Sequence, residues 1–301
     1  MVMQFIKQRA HQLLMITVLL LVSEPTLSQQ TDYYWIHQVP IPDEIVLEVG
    51  GLAFNDKQEL AVTTRRGELW LIKNPASSKP VFARFAHGMH EPLGLAYRDG
   101  SYYCTQRAEL TKLTDENGDG VADHYQTIYS WELEGNYHEY SYGPLFTDDG
   151  DMLVTLNLAW IGRGASLSKW RGWMLKITED GEMTPIATGM RSPAGFGFNQ
   201  HGDIFYTENQ GGWVGSGRMS HVEVGDFLGN PEGLKWASES GSPVTIRPED
   251  IDDSQGLSLY EYGQQLKGVK PPSVWFPHTI MGISTSGIAL IGEDFGPFEN
   301  Q

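Results

Sequence analysis

The stretch Asp115-Glu116-Asn117-Gly118-Asp119-Gly120-Val121-Ala122-Asp123 places oxygen-bearing side chains at the first, third, fifth and ninth positions of a loop. A glycine stands sixth, where the chain must turn sharply, and the Val121 carbonyl stands seventh. This is the ligand spacing of an EF-hand-type calcium loop. Position twelve is Gln126 rather than a bidentate glutamate, so the pattern fits a structural loop and not a calcium sensor. The expected ligands of one Ca2+ are Asp115, Asn117, Asp119, Asp123 and the Val121 carbonyl. The alternative is an Asx-rich turn that holds no ion.

A second set of residues offers acid–base chemistry. His138, in Tyr137-His138-Glu139-Tyr140-Ser141-Tyr142-Gly143, is of the type that serves as a general base near neutral pH. Packing is its other reading. Arg191 precedes a Pro-x-Gly turn, Arg191-Ser192-Pro193-Ala194-Gly195, and its planar fork suits a carboxylate. Lys169-Trp170-Arg171-Gly172-Trp173 reads either as a stacking platform for a sugar or as core. Cys104 is a lone cysteine in the strand Ser101–Cys104; it reads as a small buried hydrophobe and excludes an internal disulfide.

These residues are carried by a degenerate repeat. A glycine, an apolar triplet, a polar turn and an alternating strand recur from Gly51, Gly94, Gly143, Gly195 and Gly287, at intervals of 43, 49, 52 and 92 residues. The last interval holds a Ser/Pro/Asp-rich insertion around residues 237–272. A period of about 40 to 50 residues with strand signals predicts propeller blades, small antiparallel sheets whose apolar faces are buried by their neighbours. His138 and Arg191 then sit at the entrances of successive inner strands and are expected to converge on one end of the central channel. A β-sandwich accounts for neither the period nor the repeated turn.

Composition agrees with an all-β chain. Its 34 glycines and 16 prolines fall between short runs rich in Val, Ile, Tyr, Phe and Trp. Lys and Arg number 21 against 38 Asp and Glu, a net charge of −17, which disfavours nucleic acid and anionic membrane surfaces. Lys7, Arg9 and His11 precede the apolar run Leu13–Val22 and then small residues to Ser28. Residues 1–28 therefore read as a cleaved Sec signal peptide, which implies a periplasmic or extracellular protein. The apolar run is about ten residues, against roughly 20 for a membrane span. Residues 29–44 are expected to lead into a β-propeller at 45–301, truncated at its C-terminal end.

The segment Gly189–Pro231 carries a family likeness. Arg191-Ser192-Pro193-Ala194-Gly195-Phe196 resembles the Arg-Asn-Pro-x-Gly turn of the glucose/sorbosone dehydrogenase-like six-bladed propellers. Thr207-Glu208-Asn209-Gln210-Gly211 resembles their acidic channel loop, and Phe227-Leu228-Gly229-Asn230-Pro231 their aromatic-x-Gly-x-Pro close. The branch it resembles includes membrane-bound-dehydrogenase-like and haem-binding-domain proteins of environmental bacteria. The resemblance implies a sugar dehydrogenase using the quinone cofactor PQQ, with His138 taking the sugar hydroxyl proton. It also implies that Arg191, Asn209 and Gln210 contact the cofactor, that a lysine lies just beyond Gln301, and that a c-type haem accepts electrons. Ser192 replaces the family asparagine. Two other readings are a non-catalytic propeller that binds a glycan or a protein, and a metal-dependent lactonase-like propeller whose cage draws on Glu208 and Asn209.

Overall fold

The computed structural model describes residues 36–160, 164–254 and 256–292. The segment read as an export signal lies outside them, and every element named here lies in the unit Gln38–Leu290. Sixteen strands form four four-stranded antiparallel sheets among the described residues, each in simple chain order. The first is β1 (Val49–Phe54), β2 (Leu60–Thr64), β3 (Glu68–Lys73) and β4 (Val81–Ala86). The second is β5 (Gly94–Arg98), β6 (Ser101–Thr105), β7 (Glu109–Thr114) and β8 (His124–Ser130). The third is β9 (Ser141–Phe146), β10 (Met152–Leu156), β11 (Trp173–Ile177) and β12 (Met183–Thr188). The fourth is β13 (Gly195–Phe198), β14 (Ile204–Glu208), β15 (Gly217–Val222) and β16 (Val274–Phe276). These meanders are propeller blades, and β1, β5, β9 and β13 are successive inner strands.

The repeat glycines sit where inner strands touch. A Cβ on Gly51 would lie 2.6 Å from the Gly94 backbone, and one on Gly94 would lie 1.7 Å from the Gly143 carbonyl oxygen. A Cβ on Gly195 would meet the Ser286 carbonyl oxygen at 1.3 Å. Backbone therefore approaches backbone at these three junctions, and only glycine leaves room for it. Gly94→Ala is expected to destabilise the protein by about 3 kcal/mol, because the colliding atom is main chain and cannot swing aside. A denaturant midpoint equal to the parent's would refute this account of the junction.

The second strand of each blade carries a buried threonine, Thr63, Thr105, Thr155 and Thr207, which stands opposite the repeat glycine in the first, second and fourth blades and opposite Tyr142 in the third. Thr155 Oγ1 donates to the Pro193 carbonyl at 2.9 Å, and Thr207 Oγ1 donates to the Ser286 carbonyl at 2.6 Å, each tying its blade to the next inner segment. The fifth copy of the repeat thus lies beside β13 as expected. Residues 287–290, however, are not a strand: no ladder partner pairs with them among the described residues.

In the first three blades the third and fourth strands slip register by one residue at the same place, leaving Phe85, Ile128 and Ile186 as the extra residues. The insertion between β15 and β16 is not a loose excursion. It holds two short 3-10 turns and α1 (Leu259–Gln265). Its Leu234, Val244, Ile246, Ile251, Leu259 and Val269 join Trp131, Trp170 and Trp173 in one core cluster. Trp173 Nε1 donates to the Gly233 carbonyl at 2.7 Å, and Phe227 bridges to Thr188 at the end of β12. No helix among the described residues is long and apolar enough to cross a membrane.

Candidate active site between the third and fourth blades

The chain leaving β10 organises the site. Asn157 N–H donates to the Tyr140 carbonyl at 2.9 Å and Leu158 N–H to the Arg191 carbonyl at 3.0 Å. Residues 157–158 are thereby clamped between the entrances of blades three and four. The clamp brings His138 and Arg191 to a single cavity of about 200 Å3, with Asn157, Trp160, Ser192 and Asn209 also in its walls. His138 and Arg191, expected to converge on the channel, thus line one cavity together. Asn209 faces this cavity; Gln210 is not one of its wall residues, and offers its carbonyl to Arg191 Nη1 at 3.0 Å.

The turn that presents Arg191 is fixed from beneath by Glu208. One oxygen of this fully buried carboxylate accepts the N–H groups of Arg191 and Ser192, the latter at 2.7 Å. The other oxygen accepts Tyr206 O–H at 3.0 Å and Arg218 Nη2 at 2.7 Å. Burial lowers the pKa of Arg218, but Glu208 and Tyr206 outweigh it and hold the guanidinium charged. Burial also lowers Arg191, and Glu208 partly offsets that. Glu208 is thus consumed in the interior and is not among the described residues that line the cavity. The metal cage of the lactonase reading would need this carboxylate to face the cavity.

On the other side of the cavity His138 stands between two aromatic rings. Tyr137 lies edge-on at 4.8 Å and Trp160 at 4.9 Å between centroids. Arg65 reaches across from blade one to donate to Tyr137 O–H at 2.6 Å, and pairs with Glu91 at 3.0 Å. Arg107 meets the second oxygen of Glu91 at 3.1 Å. The Arg65 hydrogen bond holds the Tyr137 phenol below its usual range, whereas burial pushes Tyr140 up to about 12. Sequence reasoning missed Arg65, Glu91 and Trp160. Only the first two left a signal, being polar residues beside the repeat: Arg65 just past the second strand of blade one, Glu91 just before Pro92 and Gly94.

Beneath His138, Glu139 and Arg171 are both fully buried, with Arg171 Nε 3.9 Å from Glu139 Oε2. Arg171 donates to the carbonyls of Tyr140, Arg107 and Glu132, and burial pushes it down to about 10. Burial raises Glu139, with Ser166 and Arg171 opposing and Glu134 reinforcing the shift. A carboxyl raised in the fold contributes stability below its unfolded pKa of about 4.3 and loses it as the pH rises through the folded value. The melting temperature of Glu139→Gln should therefore gain on the parent's as the pH climbs above about 4.3. A gap that stays constant with pH would sink this assignment.

The predicted calcium loop joins β7 to β8 and is ordered by its own side chains. Asp115 accepts the N–H groups of Gly118 and Gly120 at 2.7 and 2.8 Å. Asn117 and Asp119 each accept an N–H two residues on, at 2.8 and 2.9 Å. Asp123 accepts from Glu116 N–H and from Asn117 Nδ2, at 2.9 and 2.7 Å. The donor set is all hard oxygen, which suits Ca2+. No three His, Cys, Asp or Glu side chains group at metal-holding range among the described residues, because these oxygens face loop amides.

Elsewhere the bland readings hold. Trp170 and Trp173 are 8% and 0% exposed and touch edge-on at 5.0 Å, so they are core and not a sugar platform. Cys104 is fully buried in β6 with its sulfur 3.3 Å from that of Met89, and burial pushes its thiol well up. A larger cavity of about 340 Å3 lies by His87, His90 and Glu109. The oxygens of Glu109 are already taken by Gln106, Thr111 and Thr127.

The four-blade arrangement matches solved propellers. The PQQ-bound aldose sugar dehydrogenase of Streptomyces coelicolor aligns at a TM-score of 0.57 with 14% identity, over 82% of this chain and 72% of its own. The apo aldose sugar dehydrogenase of Escherichia coli aligns at 0.57 with 14% identity, over 84% and 78%. A calcium-containing family AA12 carbohydrate-active enzyme of Trichoderma reesei aligns at 0.55 with 12% identity, over 83% and 72%. The alignments span 72 to 78% of these three solved chains. At such identities the likeness is one of fold. No protein of curated function matches in sequence. A family described as a domain of unknown function (DUF7133) matches residues 81–240, more than half of the chain.

Proposed function

We propose that this chain, which belongs to the DUF7133 family, is the propeller of a periplasmic or secreted sugar dehydrogenase of the six-bladed type that works with PQQ. One observation carries the reading: His138, Arg191 and Asn209 line a single cavity that has no carboxylate among its described wall residues. A tricarboxylate quinone suits such a lining, since Arg191 is the cation and Ser192 and Asn209 supply neutral donors. When bound, the quinone would accept the hydride from the sugar carbon. The chain's own part is to hold and to deprotonate. Arg191, steadied by the Gln210 carbonyl, neutralises a cofactor carboxylate. His138 takes the proton of the hydroxyl whose carbon is oxidised. An external acceptor such as a c-type haem then takes the electrons.

The test is reduction of an artificial dye by this chain with PQQ and a panel of aldoses. Reduction that needs both sugar and PQQ supports the reading; its absence makes the glycan- or protein-binding propeller the better one. Export is read from the chain start, and the mass of the exported protein should correspond to a first residue near Gln29.

The loop Asp115–Asp123 is proposed to bind one Ca2+ and to brace β7 against β8. Binding to the folded form alone raises stability by about 2.7 kcal/mol at a hundred times the dissociation constant. The melting temperature should rise with calcium and fall with chelator. Asp119→Ala should abolish the response, and a variant that still responds like the parent removes this loop from the account.

A further inference from the structure

We infer that the cavity between the first and second blades binds a small organic ammonium ion, with Glu109 as its counter-ion and Tyr125 as its aromatic wall. It shares no described wall residue with the cavity of His138 and Arg191. The two sites therefore stand or fall separately.

The connector that leaves β4, together with β7 and β8 of the next blade, builds this site. His87 N–H donates to the Tyr125 hydroxyl oxygen at 3.1 Å, and His90 N–H donates to Gln106 Oε1, so the connector fixes one wall and the floor together. Gln106 is buried, and its Nε2 donates to Glu109 Oε1 at 2.9 Å and to Thr111 Oγ1 at 2.7 Å. Thr111 Oγ1 donates in turn to Glu109 Oε1 at 2.6 Å. Among the described residues, the second oxygen of Glu109 accepts only Thr127 Oγ1, at 3.1 Å. A carboxylate offers about four acceptor positions, so one remains on Oε2.

Charge decides what fills the space. Glu109 brings the one carboxylate among the described wall residues, and no lysine or arginine stands with it there. The net charge of −17 adds a field that draws cations and repels anions. A bare metal ion requires several ligands at short range, and no three His, Cys, Asp or Glu side chains group at metal-holding range among the described residues. An ammonium group asks for less, since each N–H can find its own acceptor. Glu109 Oε2 supplies the charged one, and the exposed residues His87 and His90 bring ring nitrogens to the same cavity.

The remaining lining selects the carbon part of the ligand. Tyr125 is 41% exposed, yet its hydroxyl is held by the connector, so its ring is placed before a ligand arrives. An aromatic face attracts a cation within about 6 Å. Met89 and Ala108 add apolar surface. At about 340 Å3 the cavity falls at the lower end of the roughly 300 to 1,000 Å3 of small-molecule sites. That size suits an ammonium group on a short carbon chain better than a bare ion.

The test is a ligand-observed NMR titration of this chain with n-butylammonium chloride, n-butanol and sodium butyrate. It is run at about 0.15 M salt, where exposed charges more than about 8 Å apart are largely screened. The parent should bind butylammonium, bind butanol at least about tenfold more weakly, and leave butyrate unbound. Glu109→Gln keeps the shape of the side chain and removes its charge, and should weaken butylammonium at least about tenfold. Diffuse attraction to an acidic surface would hardly change, because this substitution alters the net charge by one. Tyr125→Leu, at an exposed position, should weaken binding about threefold, whereas Tyr125→Phe, which keeps the ring, should retain most of it. Circular dichroism identifies the folded variants, and Tyr125→Leu decides alone if Glu109→Gln does not fold. Absence of butylammonium binding in the parent, equal affinity for butanol, or parental affinity in folded Glu109→Gln or in Tyr125→Leu overturns the site.

Discussion

Truncating Arg218 to alanine is expected to cost the fold about 3 to 5 kcal/mol, the usual loss when one partner of a buried ion pair is removed. Arg218 is 1% exposed and Glu208 0%, so nothing from solvent can replace the missing charge. The effect should also reach the site. Glu208 holds the N–H groups of Arg191 and Ser192, and a carboxylate that has lost its counter-ion is driven toward protonation and a weaker grip on them. Chemical denaturation gives the stability, and cofactor titration of the folded fraction gives the second readout. A loss under about 1 kcal/mol would mean that the pair is solvated in a way its burial contradicts.

His138→Gln should lower kcat by about 10²- to 10⁴-fold, the range of a positioned general base, while cofactor affinity changes little. Arg191→Ala should do the opposite and weaken cofactor binding by about 1.5 to 3 kcal/mol, the worth of a hydrogen bond to a charged group. The split between kcat and affinity is the diagnostic quantity. If His138→Gln instead moves only affinity, the imidazole is part of the aromatic wall and not the base.

Much of this was legible in the sequence because it depends on main-chain geometry. Gly51, Gly94 and Gly195 repeat since backbones meet at their inner-strand junctions, whereas Gly143 has a φ of 108° and would place a Cβ against the Leu153 carbonyl of its own blade. The threonines of the second strands were equally readable but share their strands with other small residues, and so escaped notice. The orientation of Glu208 was available too. Along β14, Ile204, Tyr206 and Glu208 fall on one face by the two-residue period of a strand. If Tyr206 is core, Glu208 points inward with it and away from the channel. The insertion was not legible: Leu234, Val244, Ile246 and Ile251 follow no regular period, so only the fold reveals that they join the core around Trp173. Trp160 lies beyond the end of β10, where no periodicity fixes direction. The calcium loop was found by spacing alone, and spacing does not say whether its oxygens face an ion or the loop's own amides.

The slipped register of the outer strands bears on how these molecules behave toward one another. An outer strand edge left open is a template for strand addition by another chain, and in the third blade residues 225–228 cover part of that edge, with Gly225 N–H donating to the Ile186 carbonyl and Thr188 N–H to the Asp226 carbonyl. An extra residue at Phe85, Ile128 or Ile186 breaks the even run of donors and acceptors and twists the edge away from a flat partner. Pro185 removes a further donor from β12, and β16 is only three residues long. The described outer rim is thus poorly suited to strand addition by another chain.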